Sequence, residues 1–344
     1  MLRCGLEYDV FPVTTNRWRP VILEITQIAE LLAPEMEGLE REMIRILESD
    51  QPFLAKLNQR VVKQRGKRLR PKLLILCSKM VGYQGPLATL YASVYELIHT
   101  ATLIHDDIID GAQTRRGRRT LNSDLGNTIT VLFGDLLFTR AYRAAVEMGR
   151  LDVLSTITEV TERMVEGELL QHRHNFDLSI QTRSYFDILE RKTAFLFGGT
   201  TKTAGLIGDC SPEESQALYD FGYHFGVSFQ LIDDYLDYMG SQSEMGKPVL
   251  SDLKEGKVTL PIIKLLQKDD GRFGELVERY WREPGGQVPE VLLQALKADN
   301  GLDETWQLAK EHAEKAVAFL EPFPDNEYAQ ILRELPFNTL YRKA

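Results

Sequence analysis

Apolar stretches that run straight into aspartates constrain this chain more than any other feature. Leu103 and Ile104 lead into Asp106-Asp107-Ile108-Ile109-Asp110, and Phe229, Leu231 and Ile232 lead into Asp233-Asp234-Tyr235-Leu236-Asp237. Asp106 and Asp110 are four residues apart, so on a helix they share a face one turn apart. Like charges repel at that spacing. Asp233 and Asp237 repeat it. The preceding stretches are apolar enough to be packed, so the acids should project from the ends of buried helices. Carboxylates held together in that way call for a cation, with oxygen as its ligand atom because no cysteine is near. A solvated acidic face is the plain alternative for one such cluster. Two copies in matching apolar contexts argue against it.

The rest of the patterning is also helical. Leu23, Ile25, Ile28, Leu31 and Leu32 recur at three- and four-residue spacing, as do Met43, Ile44 and Leu47. Pro71, before Leu73, Leu74 and Leu76, suits a first helical turn. Longer helices are predicted over residues 87–109, 123–149, 151–171, 185–206, 212–239, 260–267 and 303–320. Glycine- and proline-marked loops fall at 82–86, 111–117, 208–212, 240–256, 284–289 and 322–324. There is no alternating strand series, no βαβ rhythm and no fixed repeat. Several helices are nearly continuous in apolar character, which suits the centre of a large bundle. The expectation is one all-α domain over residues 21–344, with residues 1–20 an extension lacking a core.

Bulk properties exclude some classes. The net charge of −9 over 344 residues argues against wholesale nucleic-acid binding. Cys4, Cys77 and Cys210 are isolated, without zinc or disulfide spacing, which fits a reduced, cytoplasmic compartment. Arg3, Glu7, Asp9, Arg17 and Arg19 make the N-terminus unlike a signal peptide. No apolar run approaches the ~20 residues needed to span a bilayer, so no transmembrane segment is expected.

Positive charge is concentrated locally. Arg60, Lys63, Arg65, Lys67, Arg68, Arg70 and Lys72 follow one another without an acid, and Arg115, Arg116, Arg118 and Arg119 come soon after Asp110. An arginine fork suits phosphate oxygens in a fixed orientation, and lysine supplies a mobile point charge. A solvated basic loop is the alternative, but the adjacent acids weigh against it. Acids beside arginines suggest a polyanion bridged by metal on one side and gripped directly on the other. Oxygen ligands together with phosphate indicate magnesium. His99, two helical turns before Asp106 on nearly the same face, is a plausible diphosphate contact. His105, beside Asp106, reads as a supporting residue.

Taken together these residues resemble the trans-prenyltransferase (polyprenyl diphosphate synthase) family over about residues 21–340. The motifs appear in order: Gly66-Lys67-Arg68-Leu69-Arg70-Pro71, His99 through Asp110 to Arg115-Arg116-Gly117, Gly134-Asp135, Lys192-Thr193, Gln230 with Asp233–Asp237, Gly246-Lys247-Pro248, and Gly256-Lys257 with Thr259 and Pro261. The resemblance implies antiparallel helices around a deep central cavity, usually as a homodimer. It implies condensation of isopentenyl diphosphate with an allylic diphosphate. Lys67, Arg70, His99 and Arg116 would hold isopentenyl diphosphate. Arg115, Lys192, Lys247 and Lys257 would grip the allylic diphosphate. Asp106, Asp110 and Asp233 would ligate magnesium, supported by Asp107, Asp234 and Asp237. Thr193 and Gln230, catalytic together with Lys192, would border the developing allylic cation. The chain departs from the pattern at Arg65 and Leu250, where glycines are usual, and at Gln113. Its end after Phe337 is short, which bears on any tail contact from Arg342 and Lys343.

Ala101 and Thr102 are small where bulky aromatics mark short-chain members of the family, and Asp110 follows Asp107 without a two-residue insertion. The expected product is therefore long, near octaprenyl, for quinone side chains. Tyr91, Tyr95 or Ile157 are other residues that could close the tail path. A short-chain farnesyl or geranylgeranyl synthase is the nearest alternative. A terpene cyclase would not need the Lys67–Arg70 and His99 site, and a non-catalytic subunit should lack a cluster or the lysines.

Overall fold

The computed structural model describes residues 28, 30–63, 66–239, 249–268, 271–283 and 290–341. The elements in chain order are α1 (Ala33–Ile46), α2 (Pro52–Lys63), α3 (Leu69–Met80), α4 (Leu87–Ile109), strands β1 (Thr114–Arg115) and β2 (Arg118–Arg119), α5 (Leu121–Leu125), α6 (Asn127–Glu147), α7 (Leu151–Arg173), α8 (Thr182–Leu189), α9 (Phe195–Ile207), α10 (Pro212–Met239), α11 (Ser251–Lys254), α12 (Leu260–Lys268), α13 (Arg272–Arg282), α14 (Glu290–Ala298), α15 (Gly301–Ala318) and α16 (Glu327–Leu340). A π-helical turn, Glu190–Ala194, joins α8 to α9. The all-α architecture is the one expected, and α4 and α10 have the predicted bounds.

Helix α4 is central because it is apolar nearly all round. Tyr91, Tyr95, Leu97, Ile98 and Ala101 are fully buried, and the helix packs on α1, α3, α6 and α9. Its length and composition would suffice to cross a membrane, but most of its apolar stretch is buried inside the protein, as in a core helix. Helix α10 joins two cores. Leu218, Phe221 and Phe225 belong to the one built around α4. Val227, Leu231 and Ile232 belong to the one shared with α12 and α15. Each such fully buried side chain contributes roughly 1.5–3 kcal/mol. Close approach of α10 to its neighbour depends on Gly222 and Gly226. A Cβ at Gly222 would lie 2.5 Å from the Phe197 carbonyl oxygen, and one at Gly226 would lie 2.8 Å from the Ala194 Cα.

The structure differs from the sequence expectation where local geometry breaks a helix. Gly126, with φ 79°, splits the predicted 123–149 helix into α5 and α6. The π turn interrupts the predicted 185–206 helix. The 111–117 loop runs into a hairpin in which Thr114 pairs with Arg119 and Arg115 with Arg118. Helices α13, α14 and α16 were not anticipated. In α13 charged residues dominate and only Val277 is fully buried. In α16 Pro336 masks the pattern, while Asn326 caps the helix by accepting from the Ala329 amide at 3.0 Å. Residues 1–20, read as an extension, lie outside the described residues.

Candidate active site

A cavity of about 950 Å³ is enclosed by α4, α7, the π turn and α10, with the hairpin and the start of α3 at its rim. Lys67, Arg70, His99, Thr102, Asp106, Arg115, Arg116, Lys192, Thr193, Gln230, Asp233 and Lys257 all line it. Residues far apart in sequence are thus gathered on one surface. Asp110 does not line it directly but touches it through Lys257. Ala101 does not border it. One helical step from Thr102, it faces the packed side of α4 with Leu97 and Ile98. Lys247, Arg342 and Lys343 lie outside the described residues.

The basic rim is built on unusual backbone. Arg116 (φ 51°) and Gly117 (φ 72°) are both left-handed, as a tight two-residue hairpin loop requires. The Arg116 guanidinium then rests against Gly66, where a Cβ would stand 2.7 Å from Nη1. Arg68 is also left-handed, at the start of α3, and donates from Nη1 to Glu96 Oε1 at 2.6 Å in a buried pair. The Arg70 guanidinium carbon lies 4.3 Å from the Phe197 ring centroid. Its buried Nε has no hydrogen-bond partner. Burial lowers the Arg70 pKa to about 10, with Glu96 opposing. Burial and then Arg70, Arg115, Arg116 and Arg68 push His99 well below its usual value, so its ring is neutral. This is a prepared anion pocket: fixed cations, a neutral imidazole and an unsatisfied buried N–H.

On the first aspartate wall, Arg115 Nε donates to Asp107 Oδ1 at 2.7 Å. Lys257 Nζ donates to Asp110 Oδ2 at 3.2 Å and to Glu255 at 2.8 Å. Burial would lower the Lys257 pKa, but Asp110 and Glu255 outweigh it and raise the value. Burial and then Glu168 raise Asp106 to about 7, with Lys192 opposing. Lys192 itself pairs with Glu168 at 2.6 Å. Sequence reasoning missed Glu168. Gly167 was its signal: a Cβ there would lie 2.9 Å from the Lys192 backbone nitrogen, so only glycine admits the π turn so close to α7. The turn itself aims Lys192 and Thr193 into the cavity, a common use of π geometry.

On the second wall, Tyr185 donates to Asp234 Oδ2 at 2.5 Å and Gln230 Nε2 donates to Oδ1 at 2.8 Å. Thr193 donates to Gln230 Oε1 at 3.0 Å, which fixes the amide's orientation. Burial and then Asp252 raise Asp234 to about 7. Asp237 is fully buried and accepts from Ser251 Oγ at 2.7 Å and from the Asp252 amide at 3.3 Å, so it anchors α11. Leu250, where a glycine was expected, adopts the left-handed conformation (φ 61°) that glycine would favour, and its side chain is fully buried. His105 borders the cavity, but its Nε2 turns to the Val131 carbonyl oxygen at 3.2 Å and to Asp135 Oδ1 at 3.6 Å, with its ring in the space that Gly134 leaves open.

The donor set suits a hard divalent cation. Every candidate ligand is a carboxylate oxygen. Among the described residues no three acidic, histidine or cysteine side chains converge tightly enough to enclose an ion by themselves. Asp106 and Asp233 lie on different helices, so a cation between them would need further oxygens from a ligand spanning the gap. The raised pKa values of Asp106 and Asp234 reflect buried negative charge that such a cation would relieve.

Comparison with known proteins agrees with this geometry. A family model described as polyprenyl synthetase matches residues 51–295. Octaprenyl diphosphate synthase of Escherichia coli (strain K12) is 36% identical over 311 residues, covering 90% of this chain and 96% of that one. The crystal structure of a decaprenyl diphosphate synthase from Rhodobacter capsulatus matches with a TM-score of 0.87 at 31% identity, covering 93% of this chain and 99% of that one. A polyprenyl synthase from Caulobacter crescentus CB15, complexed with calcium and isoprenyl diphosphate, matches with a TM-score of 0.86 at 32% identity, covering 93% and 98%. With two aspartate walls and the basic rim meeting in one cavity, and with this likeness running along most of its length, the chain belongs to the polyprenyl synthetase family.

Proposed function

We propose that this protein is a long-chain trans-prenyltransferase that condenses isopentenyl diphosphate with an allylic diphosphate, joining them 1'-4, to make an all-trans polyprenyl diphosphate near octaprenyl in length. The observation that carries this reading is a single cavity with two carboxylate walls, a basic rim and an apolar side formed by Leu103, Phe138, Met164, Val165 and Leu169. Lys67, Arg70, His99 and Arg116 hold isopentenyl diphosphate, with neutral His99 donating one N–H. Arg115, Lys192 and Lys257, together with Lys247, grip the allylic diphosphate. Asp106, Asp110 and Asp233 would hold magnesium. Bound magnesium supplies positive charge that stabilises the departing diphosphate.

The allylic carbon–oxygen bond breaks as negative charge grows on that diphosphate, and the cations already drawn to it on binding stabilise it without further movement. The Thr193 hydroxyl and the oriented Gln230 amide present dipoles toward the allylic cation. The homoallylic double bond attacks, a carbon–carbon bond forms, and the proton lost from the isopentenyl unit passes to the released diphosphate. Apolar side chains around the tail keep water from quenching the cation. Relatives that make octaprenyl and decaprenyl diphosphates support the long product. So does small Thr102 at the cavity surface.

A homodimer is part of this reading. Adjoining helices α6 and α7 leave Leu132 63% and Leu151 77% exposed, apolar side chains that a second copy would cover. Light scattering should give twice the chain mass, and Leu132→Glu should shift it toward monomer. The isolated cysteines, with Cys77 buried, fit a reduced cytoplasm.

Mass spectrometry of products from purified protein, magnesium, isopentenyl diphosphate and several allylic primers tests the activity. Linear chains near eight isoprene units are expected, and cyclic products from a primer without isopentenyl diphosphate would sink the reading. Ala101→Phe, enlarging α4 next to Thr102, should shorten the product. An unchanged length distribution would remove Ala101 from any influence on the tail path.

A further inference from the structure

The segment 250–257 connects the two aspartate clusters. At its start the Leu250 amide donates to the Asp237 carbonyl oxygen at 3.0 Å, and Ser251 and Asp252 bond the Asp237 carboxylate. At its end the Lys257 amide donates to the Asp252 carbonyl oxygen at 2.9 Å, and Lys257 Nζ reaches Asp110. The second half of this segment is held from outside the cavity. Phe176 has φ 62°, a left-handed conformation that is a genuine outlier for an aromatic residue. In that conformation its amide donates to the Gly256 carbonyl oxygen at 2.8 Å. Its ring lies flush against Gly256, where a Cβ would meet three ring carbons at 2.8 Å. The ring also meets Trp281 edge-on, with centroids 5.2 Å apart. The Trp281 indole N–H in turn donates to the Leu253 carbonyl oxygen at 2.7 Å. Neither Phe176 nor Trp281 lines the catalytic cavity.

We propose that Phe176 and Trp281 form an external brace that sets segment 250–257 and so places Lys257 against Asp110, which makes both of them positioning residues for the elongation site. The proposal rests on the functional reading above for the role of Lys257, while the brace itself rests on contacts. Strained backbone persists only where its surroundings over-determine it, and here the strain is tied to one glycine, one indole and one loop. The residue is 56% exposed, so the brace is not a core contact whose loss would unfold the protein. Two backbone carbonyls of one short loop, at Leu253 and Gly256, are engaged from α13 and from the turn after α7. That fixes the loop's height over the cavity rim, and with it the reach of the Lys257 ammonium.

Phe176→Ala should raise KM for the allylic primer about tenfold, the scale expected when a binding group is displaced by a fraction of an ångström. The thermal midpoint should stay close to that of the parent. Phe176→Tyr, which keeps the ring, should restore KM. Trp281→Phe, which removes only the N–H donor and part of the ring, should give a smaller rise. An unchanged KM in folded Phe176→Ala, or a KM in Phe176→Tyr as high as in Phe176→Ala, would overturn the brace. Hydrogen exchange of the 250–257 amides, read without substrate, separates this proposal from the functional one. Faster exchange in Phe176→Ala supports the brace even if the parent protein elongates nothing, and equal exchange overturns it.

Discussion

Asp107 and Asp110 in the first cluster are held by cations, Arg115 and Lys257. Asp234 and Asp237 in the second are held by neutral donors, the Tyr185 hydroxyl, the Gln230 amide and the Ser251 hydroxyl. The same residue spacing therefore serves two physical designs. The Arg115 side chain is 39% exposed and that of Asp107 10% exposed. In the reading proposed above, Arg115, open to solvent on one side, would turn from Asp107 to an arriving diphosphate. Buried hydrogen bonds are worth about 0.5–1.5 kcal/mol each, and about 1.5–3 kcal/mol where the carboxylate is charged, so the second wall is held on several sides at once. In that reading the first wall would exchange partners on binding, while the second would stay a fixed support.

That contrast can be broken in several ways. The largest effect should come from removing a metal ligand on either wall. Asp106→Ala or Asp233→Ala should lower kcat by about 10³-fold or more, as charge stabilisation at the leaving group is lost. Steady-state assays at saturating substrates check this, and near-normal turnover in either variant overturns its assignment. Next come the supports. Tyr185→Phe should weaken metal activation about 10–100-fold, as loss of an outer partner does, while leaving KM for the primer near the parental value. Arg115→Gln should do the reverse and raise KM for the primer. If the two variants move the same parameter, the distinction between exchangeable and fixed walls fails.

Acidity offers a third test. Asp106 and Asp234 are both raised to about 7. A carboxyl whose pKa rises on folding keeps its proton longer, and the folded state is penalised as it ionises. The penalty is absent below the usual carboxylate range, grows as pH rises, and is complete above about 7. A bound divalent cation removes both the proton and the penalty. Magnesium should therefore raise the thermal midpoint more at pH 8 than at pH 6, and its affinity should weaken as pH falls through 7. An equal rise at both values would show that these carboxyls do not meet the metal. The smallest effect belongs to Leu250→Gly. Relief of a left-handed leucine returns about 1–2 kcal/mol, but loss of the buried side chain costs about 2–5 kcal/mol. Net destabilisation by roughly 1–3 kcal/mol is expected in denaturant unfolding.

Much of the site was legible before any coordinates. Helical period is a local property, so the bounds of α4 and α10 follow from which residues recur every three or four positions. Aspartates at the ends of those apolar runs could only emerge at the edge of a core. The basic runs and the motif order then supplied the family resemblance, and the cavity gathers many of the residues it singled out, with Ala101 packed away from it and Asp110 reached through Lys257. Tertiary structure decided what those residues touch. Lys192 in the π turn meets Glu168 on α7, and Tyr185 reaches Asp234 across 49 residues. Asp237, chemically identical to its neighbours, is taken up by an α11 that no periodicity announced. Ala101 turns to the packed side of α4 while Thr102 faces the cavity, because the direction of burial depends on which helices pack on which side. Apolar spacing tells a helix that it has an inside, since that follows from the 3.6-residue turn. Which partner fills that inside, and which carboxylate receives a cation and which a hydroxyl, depends on contacts between segments whose separation along the chain carries no information about distance in space.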